Sequence, residues 1–163
     1  MSSHKPEFPP LLGPGLHPFS WLELRAACVD AFPLSQTRLE IFTGLEEVIR
    51  ELQRLGITGE LWLDGSFLTR KIDPDDIDLV LGVPSEVLDA PTSQQTNALL
   101  WFEDPERQTK QRCDCYLRPL FPKGHPLFAI GIERKDYWER QYGRSEGGVL
   151  KGIGVLQLGG IAL

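Results

Sequence analysis

Glu60-Leu61-Trp62-Leu63-Asp64-Gly65-Ser66, followed after nine residues by Asp76-Ile77-Asp78-Leu79-Val80, is the stretch on which the fold turns. Leu61, Trp62 and Leu63 form an apolar run that stops at Gly-Ser, which reads as a strand over 60–64. Residues 76–83 read as a second strand. Alternate side chains of a strand share a face, so Asp76 and Asp78 project together while Ile77 and Leu79 turn the other way. Two carboxylates held close repel unless protons or a cation neutralise them. Mg²⁺ favours oxygen ligands and sits between one or two carboxylates and substrate phosphates. Gly65 lets the backbone approach a ligand closely. A turn leading into a helix presents N–H groups to phosphate, and the Ser66 hydroxyl adds one more donor. Arg70 and Lys71 come next; they either neutralise a triphosphate or form a solvated basic pair. Each piece alone is common, and Asp73-Pro74-Asp75-Asp76 also reads as an acidic turn.

Outward from that stretch, Arg112-Cys113-Asp114-Cys115-Tyr116 reads as part of a third strand over 112–118. Cys113 and Cys115 share one face, where burial is the expectation for free cysteines, and Asp114 takes the other. Beside the Asp76/Asp78 strand, Asp114 would bring a third carboxylate to the cluster. Two-metal phosphoryl or nucleotidyl transfer uses such a set, and the third acid can accept the proton of an attacking hydroxyl.

This pattern resembles the DNA polymerase β-like nucleotidyltransferase superfamily. Its motif is Gly-Ser, roughly ten residues, then Asp-x-Asp between apolar residues, with a later carboxylate on a third strand. The resemblance covers Leu61 to Tyr116. It implies Gly65 and Ser66 at the nucleotide phosphates, with Asp76 and Asp78 as metal ligands. Asp114 becomes the third ligand and candidate base. The implied cofactor is Mg²⁺, two ions, with Mn²⁺ as the alternative. The implied reaction moves a nucleoside monophosphate from an NTP to a hydroxyl on a protein, an RNA end or a small molecule. Segments 13–18, 64–71 and 137–153 are also similar to small stand-alone bacterial members, which often belong to toxin–antitoxin or defence modules. One departure is Asp75, where the superfamily often has serine; it adds negative charge beside the site. The competing expectations are a catalytically silent binding or regulatory protein of antitoxin type, and a metal-dependent phosphodiesterase or nuclease. The latter leaves Gly65-Ser66 unexplained.

The flanking sequence predicts one α/β (α+β) domain over 20–163, a small mixed β-sheet with helices packed on one face. An extended Pro/Gly-rich arm over 1–19 precedes it, with Leu11, Leu12 and Leu16 as docking residues and His4 and His17 at the surface. Ser20 and Glu23 match a capping box, opening a helix that ends near Phe32, before Pro33. Ser35 is the next cap candidate. Leu39, Phe42, Leu45, Val48, Ile49, Leu52 and Leu55 form a buried helical stripe, closed by Gly56. Further elements are a turn or short helix over 84–90, helices over 92–102 and 133–142, and a strand over 149–158. Trp101, Phe102, Tyr137, Trp138 and Tyr142 either pack the core or stack on a base; their helical spacing favours the core. Arg134, Lys135, Arg140 and Arg144 read as a solvated face, and Lys151 as a residue able to line a phosphate path.

Composition bounds the rest. The chain has 163 residues, 41% hydrophobic and 25% charged, with net charge −6. No apolar run approaches the roughly 20 residues a membrane-spanning helix needs, and no secretory signal is evident. A cytoplasmic location is expected. Three cysteines without scaffold spacing argue against a disulfide framework. Residues 1–100 carry seven basic and fifteen acidic residues, and 101–163 carry ten and eight. Strong non-specific nucleic-acid binding is therefore not expected. Little chain remains beyond the catalytic motifs, so a partner protein or self-association is expected to supply any surface for a large acceptor.

Overall fold

The computed structural model describes residues 5–163. His4 lies outside the described residues. In chain order the elements are β1 (Gly15–Pro18), α1 (Trp21–Arg25), α2 (Arg38–Arg54), β2 (Glu60–Asp64), β3 (Ile77–Pro84), α3 (Ser85–Asp89), α4 (Ser93–Phe102), α5 (Pro105–Gln111), β4 (Cys113–Leu120), α6 (Phe128–Tyr142) and β5 (Gly152–Gln157). The strands form one mixed sheet ordered β1-β5-β2-β3-β4. Strand β2 is antiparallel to both β3 and β5, whereas β3–β4 and β1–β5 are parallel. A parallel pair needs a long crossover, and α3, α4 and α5 supply it between β3 and β4.

Strand alternation sorts the sheet into two faces. Leu61, Leu63, Leu79, Leu81, Cys113, Cys115 and Leu156 join α1, α2 and α4 in the main core. Trp62, Val80, Ile153 and Val155 face the other way and pack with Tyr142 and Trp138 of α6. The expected helical layer thus covers one face, and α6 is added on the opposite one. The cysteines are buried and free. Burial pushes the Cys115 thiol up to about 12, so it stays a protonated, apolar-like group.

Local chemistry explains the boundaries. Glu23 N–H donates to Ser20 Oγ at 3.2 Å and Ser20 N–H to Glu23 Oε2 at 2.8 Å, completing the expected capping box. The α-helix stops at Arg25, earlier than expected, and widens into a π-helical turn over Ala26–Asp30. Gly56 takes φ +78° after α2, as a left-handed terminus requires. Helix α4 ends at Phe102, and Asp104-Pro105 opens α5. Asp104 Oδ1 accepts from Arg107 N–H at 2.8 Å, and proline is tolerated in the first turn. Helix α6 begins at Phe128 rather than Glu133, and β5 is confined to Gly152–Gln157.

The α2 stripe needs one correction. Leu39 is 56% exposed, and Arg38 takes the inward place with no exposed surface. Ser35 Oγ accepts from the N–H groups of Thr37 and Arg38, while Thr37, at the N-cap position, donates its hydroxyl to Pro74 O at 2.7 Å and makes no side-chain cap. Among the described residues the buried guanidinium forms no ion pair with a carboxylate. It donates to the carbonyl oxygens of Cys28, Phe67, Thr69, Ile72 and Lys71, at distances from 2.6 to 3.2 Å. It also lies 3.6 Å from the Phe32 ring centroid. Charged groups enter a core only when hydrogen-bonded throughout, and the carbonyls of 67–72 supply those bonds. Arg38 therefore folds the loop between Gly65-Ser66 and Asp76 around itself.

The described part of the arm, residues 5–19, holds no helix. Its β1 segment pairs on the sheet edge, which tolerates proline. Leu11 and Leu12 pack on the core, while Leu16 stays 43% exposed. His17 Nε2 bonds to the Gly13 carbonyl at 2.7 Å.

Candidate active site

The registers of β2, β3 and β4 place three aspartates side by side. Asp64 pairs with Asp78, and Asp78 pairs with Asp114. All three lie on the α6 face, one rung beyond Trp62, Val80 and Tyr116. Asp76 sits just before β3 and is part of the same electrostatic cluster. Cross-strand neighbours have Cα atoms about 4.5–5.5 Å apart, so the charges cannot avoid one another. Burial first, then the carboxylates of Asp76, Asp64 and Asp114, push Asp78 up to about 7. Burial, Asp114 and Asp75 also raise Asp76.

Asp64 was read only as the end of a strand, yet it is the most enclosed acid of the set, 5% exposed. Its Oδ2 accepts from Lys151 Nζ at 2.8 Å, while its Oδ1 is buried with no hydrogen-bond partner among the described residues. Burial pushes Asp64 up to about 6, with the lysine acting against it. Lys151 precedes β5, whose pairing with β2 brings it beside the acids.

Gly65 links the turn to the cluster. Its φ is +86° and its ψ −170°, a conformation reserved for glycine. A Cβ there would meet Asp78 Oδ2 at 2.2 Å, so the Gly65 backbone and the Asp78 carboxylate are in contact only because the side chain is missing. Ser66 opens a short 3₁₀ turn, Ser66–Leu68.

These groups line a cleft of about 750 Å³. Asp64, Gly65, Ser66, Asp76, Asp78 and Lys151 form its floor. Tyr116, Tyr137, Trp138 and Tyr142 stand along the α6 side. Lys5 to Pro10 of the arm also line the cleft. Pro9 O accepts from Arg70 N–H at 2.9 Å, and Leu11 N–H donates to Leu68 O at 2.9 Å. The Glu7 carboxylate accepts from Gly147 N–H, tying the arm to the turn before β5.

The chain belongs to a family of unknown function, DUF6932. The match runs over residues 6–157, so the family includes the arm, the acid rung and β5. No curated protein and no solved structure matches the chain.

Against that geometry the expected site residues divide. Gly65, Ser66, Asp76 and Asp78 converge in the cleft. Asp114 adjoins Asp78 in register but lies beneath Tyr116, whose O–H donates to Asp114 Oδ2 at 3.1 Å. Arg70 and Lys71 are not in the cleft wall. Their loop turns its carbonyls onto Arg38, and Lys71 Nζ pairs with Asp75 Oδ2 at 3.0 Å. Lys151 takes the cationic place on the floor instead. Of the aromatic set, Phe102 is core and Trp101 packs against it, whereas Tyr137, Trp138 and Tyr142 face the cleft. Arg144, expected on a solvated face, also lines it. Among the described residues no three His, Cys, Asp or Glu side chains form a ready-made metal cage.

Proposed function

We propose that the chain is a nucleotidyltransferase that moves a nucleoside monophosphate from an NTP to a hydroxyl acceptor. The observation that carries this reading is the contact between the Gly65 turn and Asp78 at the floor of a cleft that also holds Asp64, Asp76 and Lys151. Phosphate-binding backbone and metal-type carboxylates then act on the same ligand atoms.

The donor set suits Mg²⁺, with Mn²⁺ as the alternative. It is all oxygen, crowded enough to raise Asp76 and Asp78, and Asp64 keeps a buried oxygen with no hydrogen-bond partner among the described residues. A closed protein cage is not needed, because Mg²⁺ is commonly held by one or two carboxylates together with substrate phosphates and water. Asp76 and Asp78 would hold it. When bound, the metal supplies neutralising charge to the triphosphate and to the leaving pyrophosphate.

The chain's own groups do the rest. Gly65 lets the backbone approach the phosphates, and the Ser66 O–H donates to a phosphate oxygen. Lys151 adds a positive charge at the floor. The acceptor hydroxyl oxygen forms a bond to the α-phosphorus as the bond from that phosphorus to the pyrophosphate oxygen breaks. Asp114, next to Asp78 in register, takes the hydroxyl proton, and Tyr116 donates its O–H to Asp114 Oδ2.

The test is calorimetry of each NTP, with and without Mg²⁺, on wild type and on Asp76→Ala/Asp78→Ala. Mg²⁺-dependent binding that disappears in the double variant is the expected result. Folded wild type that binds no NTP under any of these conditions would overturn the proposal.

A further inference from the structure

The floor of the cleft accounts for phosphates and leaves its walls unexplained. One wall is aromatic. Tyr116 of β4 and Tyr137 of α6 are each 40% exposed, although both lie beside a large ring that could have covered them. Trp138 stands between them, its ring centroid 5.0 Å from Tyr116 and 5.1 Å from Tyr137. Tyr142 supports Trp138 from below, edge-on at 5.4 Å. The Tyr142 side chain is itself buried, and its hydroxyl has no hydrogen-bond partner among the described residues although the residue lines the cleft. Leaving a buried hydroxyl unpaired costs free energy, so it points to a ligand group that completes it. The arm also lines the cleft, with Phe8, Pro9 and Pro10. Exposed rings and an apolar strap lining the same cleft as the acids and Lys151 match a flat ligand that carries a charged tail.

We propose that this wall is the base subsite of the cleft: the nucleobase of an NTP stacks on the exposed face of Tyr137, whose ring stands at 83° to that of Trp138, within the cleft that the N-terminal arm also lines. The inference rests on the nucleotidyltransferase reading and adds the place and manner of base binding. Gln141, also in the wall, offers one amide donor and one acceptor to a heterocycle edge. Stacking is tolerant of base identity because every base has a π-face. The four NTPs should therefore bind with similar affinity through this wall. The arm holds its place through the Glu7 contact to Gly147 and the backbone bonds at Pro9 and Leu11, so it is a fixed part of the cleft lining.

The experiment compares Mg²⁺-bound ATP, GTP, CTP and UTP with Mg²⁺-bound inorganic tripolyphosphate by calorimetry, on wild type, Tyr137→Ala and Tyr137→Phe. Tripolyphosphate reports the floor alone. Wild type should bind the NTPs at least about ten-fold more tightly than tripolyphosphate, within the range that loss of one base–aromatic stack produces. Tyr137→Ala should remove about ten-fold from NTP affinity and leave tripolyphosphate binding unchanged, which also shows that the variant is folded. Tyr137→Phe should bind like wild type. Equal affinity of wild type for NTPs and tripolyphosphate overturns the base subsite and leaves the nucleotidyltransferase reading standing. So does a Tyr137→Ala effect of equal size on both ligands. Wild type that binds neither ligand overturns both readings together.

Discussion

Replacing Gly65 by alanine tests the joint between turn and acids. Two effects follow from the geometry. The backbone at φ +86°, ψ −170° lies where side chains are strained, which costs of order 1–3 kcal/mol. The new Cβ would also stand 2.2 Å from Asp78 Oδ2 and 3.1 Å from its Cγ. The carboxylate is the end of a short side chain and can turn away, at about 0.5–1.5 kcal/mol if it leaves a staggered rotamer. Gly65→Ala should therefore lower unfolding stability by about 2–4 kcal/mol and abolish Mg²⁺–NTP binding, because Asp78 no longer sits where the phosphates and metal meet. Gly124→Ala is the control. Gly124 has φ +95° with nothing within 4 Å of an added Cβ. It carries the backbone penalty without the collision and should leave NTP affinity unchanged. Urea unfolding gives the stabilities and calorimetry the affinities. Gly65→Ala with wild-type affinity would refute the argument that this glycine exists to seat Asp78.

Two further outcomes can be stated. Asp78 is pushed up to about 7 and Asp64 to about 6, above the ordinary aspartate value of roughly 4. Between those limits the folded chain holds protons that the unfolded chain has released. Stability then falls as pH rises from about 4 to 7. Asp78→Asn should remove most of that slope, raising the stability of the metal-free protein at pH 8 by about 2–4 kcal/mol and hardly changing it at pH 4; identical pH profiles for the two proteins would contradict the cluster's electrostatics. Arg38→Met should destabilise the protein by about 1–3 kcal/mol for each buried carbonyl it leaves unpaired, with faster tryptic cleavage at Arg70 and Lys71. Arg38→Lys should not rescue it, because one ammonium has three donors for five carbonyls; an unchanged urea midpoint in Arg38→Met would show that the loop is held by something else.

Much of this architecture is local and was therefore legible. The apolar run before Gly65 and the Asp-x-Asp alternation follow from a period of two, and both strands form with their acids on the expected face. The Ser20 capping box and Gly56 are chemical signals within a few residues. What was missed depends on pairing across long separations. Asp64 counted as a strand end because its burial arises only when β5 and β3 flank β2. Lys151 meets Asp64 through that same pairing. Arg38 broke the stripe because its compensating carbonyls lie some thirty residues further along the chain, and a hydrophobic pattern naturally selects Leu39. The aromatic set was divided for the same reason. Trp101, Phe102, Tyr137, Trp138 and Tyr142 share helical spacing, but α4 packs on the main core whereas α6 crosses the acid face.

The acid rung also supports a functional origin by its cost. One rung back on the same face, Trp62 and Val80 are fully buried against the α6 side. Continuing that pattern with apolar or amide residues at 64, 78 and 114 would extend the small core and remove the repulsion that raises Asp78 and Asp76. Instead the sheet carries three adjacent carboxylates, and one lysine offsets part of their charge. Stabilising substitutions of that kind are common and usually easy to reach, and departures from local consistency concentrate where a protein binds or reacts. A purely structural role gives no reason to hold Gly65 in a glycine-only conformation against the most proton-prone of these acids. Under the proposed function the arrangement has one: the same contact that strains the unliganded chain brings phosphate-binding backbone and metal-binding carboxylate to a single point.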